Sequence, residues 1–179
     1  DGDAFTPVLK TAPQRAVWLA VNLLTAILAA SVIGLFQATI EKVVALAVLM
    51  PIVASMGGIA GTQSLTVLIR AMAMGQINDR TELWLVRREV LVSALNGIIW
   101  ALVMAMVTTY WFGDSTLGII IAFAIVVNLL TAGIAGASLP LILERLNIDP
   151  ALAGGVILTT VTDVVGFWAF LGLAAYFYG

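Results

Sequence analysis

Five long apolar stretches run through the chain, separated by short polar segments. They cover approximately residues 16–40, 43–75, 90–112, 117–143 and 151–178. A helix needs about 20 mostly apolar residues to cross the hydrocarbon core of a bilayer, so each stretch is long enough to span it once. The pattern therefore predicts an all-α membrane protein with five transmembrane helices.

The segments between these spans predict short connections. Residues 37–42 predict a tight turn, and the polar residues 78–89 predict a loop that carries a short surface helix. Residues 113–116 include candidates for the N-cap of the fourth span. Asp149 followed by Pro150 is typical of a cap and the first residue of a helix.

Composition supports a membrane protein and narrows its chemistry. The 179 residues are 62% hydrophobic and only 10% charged, whereas a soluble domain carries about 25% charged residues. The net charge of −2 gives no reason to predict a nucleic-acid partner. Cysteine and histidine are absent, which excludes disulfides, thiolate chemistry and imidazole ligands, so any metal chemistry must use oxygen ligands.

The basic residues predict the orientation of the spans. In an alternating five-span arrangement, all lysines and arginines except Lys42 fall on one side of the membrane. Because basic residues are enriched in cytoplasmic loops, this places the N-terminus in the cytoplasm and the C-terminus outside.

Asp163 is the acidic residue that lies deep within a predicted span. It stands about twelve residues into the fifth span, about 18 Å along a helix and near the middle of the hydrocarbon core. A carboxylate there costs about 2.5–3.5 kcal/mol, and such residues are usually functional. Thr159 lies one turn away, and Gly155 leaves open space. We interpret Asp163 as a cation ligand; the alternative is a protonated side chain bonded to a neighbouring helix.

The second span carries a polar stripe beside helix-weakening residues. Pro51 and the glycine-rich residues 57–61 predict an interruption of the helix. The stripe follows three- and four-residue spacing and consists of Ser55, Ile59, Thr62 and Thr66, with Gln63 beside it. Broken polar helices are tolerated at membrane depth where they line water, which favours a pore-lining role. Packing of helices through small residues is the alternative.

Three asparagines also lie within the predicted spans: Asn22, Asn96 and Asn128. Each is a candidate for the lining of an ion pathway. We favour the other role of such residues, hydrogen bonding between helices.

Several of these segments resemble the MgtE family of magnesium channels. Residues 51–63, followed by Leu65, Thr66 and Arg70, resemble the second span of that family. Residues 147–151 and 159–167 look like its fifth span, and Trp18 with residues 22–25 resembles its first. The resemblance covers essentially the whole chain in the same order. It departs at Ile59, where many members have Asn. If that Asn contributes oxygen to the pathway, Thr62 or a backbone carbonyl could serve in its place, with a shift in ion selectivity.

The resemblance implies a homodimer with the ion pathway at the dimer interface. It implies that Asp163 binds Mg²⁺, largely through the hydration shell of the ion. Mg²⁺ is then both the bound ion and the transported ion. Thr159, Thr62, Thr66, Gln63, Ile59 and Gly155 are the expected pore-lining residues. Mn²⁺, Co²⁺ and Ca²⁺ are further candidate ions, and membrane lipid surrounds the protein in the bacterial inner membrane.

The resemblance also implies a domain organisation. Family members carry cytoplasmic N and CBS domains that sense magnesium and close the pore, and we expect this chain to lack them. We expect residues 1–14 to be the end of the connecting plug helix and residues 15–179 to be the transmembrane domain. The chain begins with Asp1 and has no signal-peptide pattern, so we expect it to be a fragment of a longer protein.

The function predicted from the sequence is the pore domain of a Mg²⁺-selective channel. The alternative is a secondary Mg²⁺ transporter coupled to Na⁺ or H⁺, because a lone carboxylate can also carry protons. An enzyme is not predicted, since the chain has no histidine for a Ser–His dyad and an aspartyl protease needs two carboxylates. A membrane scaffold without transport activity is the remaining alternative.

Overall fold

The computed structural model describes residues 4–179, which form six α-helices and no strand. They are α1 (Val8–Leu35), α2 (Gln37–Lys42), α3 (Ala45–Ala73), α4 (Glu82–Phe112), α5 (Ser115–Arg145) and α6 (Pro150–Tyr178). All of them except α2 are long and apolar enough to cross a membrane. The predicted all-α class and the number of spans are therefore confirmed.

The predicted caps of the last two spans are present. The side chain of Asp114 accepts hydrogen bonds from the backbone N–H groups of Thr116 and Leu117 at the start of α5. Asp149 accepts one from Ala151 N, and Pro150 is the first residue of α6. These carboxylates satisfy backbone donors that have no partner within the helix.

Two predicted connections are wrong. Residues 37–42 form the helix α2 instead of a tight turn, and the helix predicted within residues 78–89 is the beginning of α4. The first long helix starts at Val8, earlier than the predicted span. The span was predicted from apolar residues alone, and the helix includes more polar residues before them. Of the predicted connecting segment 1–14, residues 1–3 lie outside the described residues, and Val8 onwards belongs to α1.

The predicted interruption of the second span is also wrong, because α3 continues through Pro51 and the glycine-rich segment. Pro51 lies near the start of α3, where the proline removes a single helical hydrogen bond. Within a bilayer no water replaces a lost backbone hydrogen bond, so unwinding at the glycines would leave unsatisfied groups at a cost of several kcal/mol each.

Helix α5 lies at the centre of the bundle and packs against α3, α4 and α6. Small residues allow this close packing. A Cβ atom at Gly136 of α5 would lie only 2.5 Å from the carbonyl oxygen of Gly61 in α3. Close approach of this kind stabilises the bundle through van der Waals contacts, because the hydrophobic effect contributes little between helices in lipid.

Helices α3 and α6 pack antiparallel, and three contacts fix their register. A Cβ atom added at Gly166 would lie 3.2 Å from Cγ1 of Val53, and one at Gly61 would lie 2.8 Å from Cδ1 of Leu158. Further along, Gly154 faces Leu65 in the same way. Asp163 therefore lies at a level between Val53 and Gly61.

Helix α1 packs mainly against α6 and runs parallel to it. The ring of Phe36, just after α1, meets Trp168 of α6 edge to face, with 5.6 Å between the centroids. The buried residues of α1 are Ala29 and Val32, and most of its other residues are exposed within this chain. The Phe36–Trp168 contact at one end and the α1–α6 cavity described below define where α1 lies along α6.

Candidate cation site

The carboxylate of Asp163 is half-buried in the middle of α6. In the part of the chain that the structure describes, it forms no ion pair and no hydrogen bond to a neighbouring helix. The alternative interpretation of a side chain bonded to another helix is thus not observed there. Among the same residues, no three potential His, Cys, Asp or Glu ligands come together, so one chain offers an isolated carboxylate and not a cage.

A polar cavity of about 150 Å³ lies in front of this carboxylate, between α1 and α6. It is lined by Asp163, Thr159 and Thr160 of α6 and by Asn22, Thr25 and Ala26 of α1. A polar cavity of this size admits several water molecules. The carboxylate therefore has a place for water, or for a hydrated ion, beside it.

The threonine hydroxyls around Asp163 present oxygen lone pairs to the cavity. Thr159 Oγ1 donates its hydrogen to Gly155 O at 2.7 Å, and Thr160 Oγ1 donates to Val156 O at 2.7 Å. Because each hydroxyl has one hydrogen and uses it within its own helix, the oxygen remains available only as an acceptor. Water molecules bound to a cation are donors, so these hydroxyls suit a hydrated cation.

The polar stripe of α3 is exposed along one side of the single chain. Ser55, Ile59, Thr62, Gln63 and Thr66 are all exposed, and Ile59 has 61% of its surface accessible. Thr62 Oγ1 donates to Gly58 O at 2.8 Å, so this oxygen is also left as an acceptor. The residues of the stripe thus share a face, as the helical spacing predicted.

The register of α3 and α6 places the predicted pore residues at successive levels. Ile59 lies near the level of Thr159, one turn from Asp163, and Thr66 lies beyond the level of Gly155. A Cβ atom at Gly155 would meet nothing within 4 Å, so open space adjoins this part of α6. None of the α3 residues lines the α1–α6 cavity, whereas Thr159 of α6 does. The pore-lining role of the predicted residues stays a prediction.

Two of the glycines in α3 have a packing role. A Cβ atom at Gly57 would lie 2.1 Å from Nδ2 of Asn128, and Gly61 is in contact with Leu158 and α5. The interpretation of helix packing through small residues holds for these two positions, which face the opposite way from the polar stripe. Gly58, in contrast, has open space around it.

The three intramembrane asparagines differ in their partners. Asn128 donates from Nδ2 to Val53 O at 3.0 Å, so the predicted bond between helices is confirmed there. Asn96 donates to Val92 O in its own helix, where the prediction is wrong. Asn22 lines the cavity and, within the described residues, its side chain makes no hydrogen bond to another helix.

Sequence reasoning missed the buried carboxylate of Glu89, which it placed at a span end. Glu89 is 4% exposed on the face of α4 that packs against α5, and Oε2 pairs with Nη1 of Arg88 at 2.7 Å. A signal was present in the sequence, because Glu89 continues the four-residue spacing of the small residues Ser93, Gly97 and Ala101 along one helix face. All four residues are buried in the structure. Its side chain packs in the α4–α5 interface, away from the Asp163 cavity.

Comparison with known proteins identifies the family. The family model for MgtE, described as a divalent cation transporter, matches residues 50–173. The chain belongs to the MgtE family. The match includes Asp163, the stripe of α3 and the whole of α4 and α5, whereas α1 precedes the matched residues.

Curated MgtE relatives align over almost the whole chain. Magnesium transporter MgtE of Bacillus subtilis is 34% identical over 96% of this chain and 38% of its own length. The proteins of that name from Enterococcus faecalis and Thermus thermophilus are 31% and 32% identical. They are covered over 37% and 35% of their lengths, and 94% and 89% of this chain aligns. The chain thus spans little more than a third of the relatives that it matches. Membership of this family and five apolar helices indicate a multi-pass membrane protein.

Proposed function

We propose that this chain is the pore domain of a magnesium channel, in which Asp163 from each of two subunits holds a hydrated Mg²⁺. The observation that carries the proposal is the carboxylate of Asp163, which has no ion-pair partner among residues 4–179 and lies at the middle of a spanning helix, beside a polar cavity. A charged group at that depth is stabilised by water or by a cation. The names of the relatives, magnesium transporter MgtE, support Mg²⁺ as the ion.

The exposed stripe of α3 supports a homodimer. Hydroxyl and amide groups that face lipid have no water to bond, which makes such a surface costly in a bilayer. A second copy packed against this side would enclose the stripe and Asp163 in a shared, water-filled path. Closed two-fold dimers are the commonest symmetric assembly, and they place the same residue of both subunits around one axis.

Conduction of a hydrated ion fits the ligands that one chain offers. Mg²⁺ prefers an octahedron of oxygen ligands and gives up its water reluctantly. Two Asp163 carboxylates would balance the charge of the dication, while the acceptor oxygens of Thr62 and Thr159 would bond its water molecules. Binding through water is weak enough for the ion to leave, as conduction requires.

The positive-inside pattern supports the placement of the N-terminus in the cytoplasm and of the C-terminus outside, in a bacterial inner membrane. In this orientation α6 begins on the cytoplasmic side, and the ion passes the levels of Asp163, Thr159 and Gly155 in turn on its way inward. Lipid covers the outer faces of the dimer.

The test is Mg²⁺ flux into liposomes that contain the purified protein or its Asp163→Asn variant. We expect Asp163→Asn to reduce flux by at least about tenfold and to weaken Mg²⁺ binding, because it removes the charge and keeps the shape. Asp79→Asn, in the exposed loop between α3 and α4, is the matched control and should retain wild-type flux. Wild-type flux and affinity in Asp163→Asn would remove this residue from the mechanism.

A coupled transporter is the second candidate. The observation that favours it is the carboxylate of Asp163, which can bind a proton in place of the cation. The two functions differ in their need for a second gradient. Single-channel currents in planar bilayers support the channel, whereas Mg²⁺ flux that stops when the Na⁺ or H⁺ gradient is abolished supports the transporter. Comparison of Mn²⁺, Co²⁺ and Ca²⁺ currents with the Mg²⁺ current in the same bilayers measures ion selectivity.

A further inference from the structure

Helix α1 contributes two polar side chains to the cavity in front of Asp163. Asn22 and Thr25 lie three residues apart on one face of α1 and line the cavity together with Thr159, Thr160 and Asp163. Five of the six lining residues are polar, although both helices are predominantly apolar. The polar groups of two helices from opposite ends of the chain are thus concentrated at the level of one carboxylate.

The amide of Asn22 is the unusual member of this group. In the described part of the chain, Asn96 and Asn128 donate hydrogen bonds to backbone carbonyls, whereas the side chain of Asn22 has no such bond. An amide without partners is costly in an apolar environment. Water in the cavity, or water bound to an ion, would satisfy it.

Thr25 has the same acceptor character as the threonines of α6. Its Oγ1 donates to Asn22 O at 2.8 Å, which uses the only hydroxyl hydrogen within α1. The cavity is therefore lined by a carboxylate, the amide of Asn22 and the hydroxyl oxygens of Thr25, Thr159 and Thr160. Oxygen acceptors around one negative charge match the water shell of a small divalent cation, and the amide of Asn22 can accept from that water through its oxygen.

We propose that Asn22 and Thr25 make α1 a third wall of the cation site and bind the water molecules of the ion held by Asp163. This proposal rests on the proposed function and adds residues from outside α3 and α6. Each subunit then carries its own side of the site between α1 and α6, next to the path shared by the dimer. Asn22 acts as a specificity-determining residue, because its amide fixes the position of the hydration shell.

Packing alone does not account for Asn22. Within this chain Asn22 is exposed, and Ala29 and Val32 are the residues that α1 buries against its neighbours. Substitution of an exposed residue away from packed contacts has little effect on stability. Variants at this position therefore report on the cavity and not on folding.

The absence of cysteine from the sequence allows a direct test of water and ion access. Asn22→Cys introduces a single thiol, and Leu23→Cys introduces one at the same depth outside the cavity lining. With protein in liposomes, we expect a cationic methanethiosulfonate reagent to modify Asn22→Cys and block Mg²⁺ flux, and Mg²⁺ to slow the reaction by at least about threefold. Leu23→Cys should not react. Equal reactivity of the two thiols, or no protection by Mg²⁺, would overturn the proposal.

A second measurement compares Asn22→Leu with Asn96→Leu, a control at a half-buried asparagine of α4 that bonds within its own helix. We expect Asn22→Leu to weaken Mg²⁺ affinity about three- to tenfold, the equivalent of one hydrogen bond, and to change the Mg²⁺/Ca²⁺ permeability ratio. Asn96→Leu should change neither. If Asn22→Leu behaves like the control while Asp163→Asn abolishes flux, the role of α1 is wrong and the proposed function stands. Wild-type flux in Asp163→Asn would contradict the proposed function itself.

Discussion

Asn128 of α5 donates a hydrogen bond from Nδ2 to the carbonyl oxygen of Val53 in α3, at 3.0 Å, and its side chain is completely buried. Gly57 of α3 and Gly166 of α6 leave the space that this amide fills. Gly166 lies one turn after Asp163, so a single side chain of the central helix contacts both helices that carry the predicted pore residues. The spacing of α3 and α6 next to the cation site therefore depends on Asn128.

Replacement of Asn128 by Ala should destabilise the protein by about 1 kcal/mol, which lies within the range measured for hydrogen bonds between membrane helices. The effect stays modest because Oδ1 of the same amide has no partner in the described structure. Reversible unfolding in detergent measures the difference. Asn96→Ala, which removes a bond within one helix, should change stability by less than about 0.5 kcal/mol. Equal effects of the two variants would contradict the role of Asn128.

Gly57→Ala should destabilise the bundle by about 1–3 kcal/mol, because the added Cβ would lie 2.1 Å from Nδ2 of Asn128 and force the helices apart. Gly58→Ala is the matched control, since its Cβ would meet nothing within 4 Å. Combining Gly57→Ala with Asn128→Ala should recover part of the loss, because the smaller side chain makes room for the methyl group. Unfolding of all these variants in the same detergent checks the prediction, and additive losses in the double variant would contradict it.

Glu89→Ala should cost about 2 kcal/mol, because it removes a part-buried charge-assisted hydrogen bond within α4 and leaves space between α4 and α5. Glu82 pairs with Arg145 at the more exposed ends of the same two helices. Exposed ion pairs contribute at most about 1 kcal/mol, so Glu82→Ala should have the smaller effect. A larger loss of stability in Glu82→Ala would mean that the exposed ion pair between the helices contributes more than Glu89, whose pair with Arg88 lies within α4.

Ile59→Asn tests the position at which this chain departs from the family pattern. Ile59 is exposed and lies near the level of Thr159, so the substitution should leave stability unchanged within about 0.5 kcal/mol. An amide there adds a partner for water on the ion, and we expect Mg²⁺ affinity to rise about two- to tenfold, the equivalent of one hydrogen bond. Competition between Mg²⁺ and Ca²⁺ in flux assays measures the change, and unchanged affinity would exclude Ile59 from the pathway.

The sequence was sufficient for features that depend on local chemistry. The spans follow from runs of apolar residues, and the caps at Asp114 and Asp149 follow from side chains that bond the adjacent backbone. Asp163 stood out because a carboxylate in the middle of an apolar run has a known energetic cost. The helical spacing of the α3 stripe correctly placed its residues on one face.

Features that depend on the neighbours of a helix were not accessible in the same way. The continuity of α3 through Pro51 reflects the lack of water in the bilayer, which helix propensities measured in water do not include. The burial of Glu89 depends on which face of α4 meets α5. The cavity at Asn22 arises because α1 lies beside α6, and no pattern within α1 indicates its neighbour.

The packing of α1 mainly against α6 has a consequence for biosynthesis. Among the described helices, α1 is synthesised before the others and α6 after them, so α1 waits in the bilayer without its main partner while the intervening helices are inserted. Contacts between the two ends of a chain form late, because they require closure of the longest loop. The cavity at Asp163 can therefore be completed only once translation has passed through α6, so a nascent chain that stalls earlier lacks both the carboxylate and this cavity.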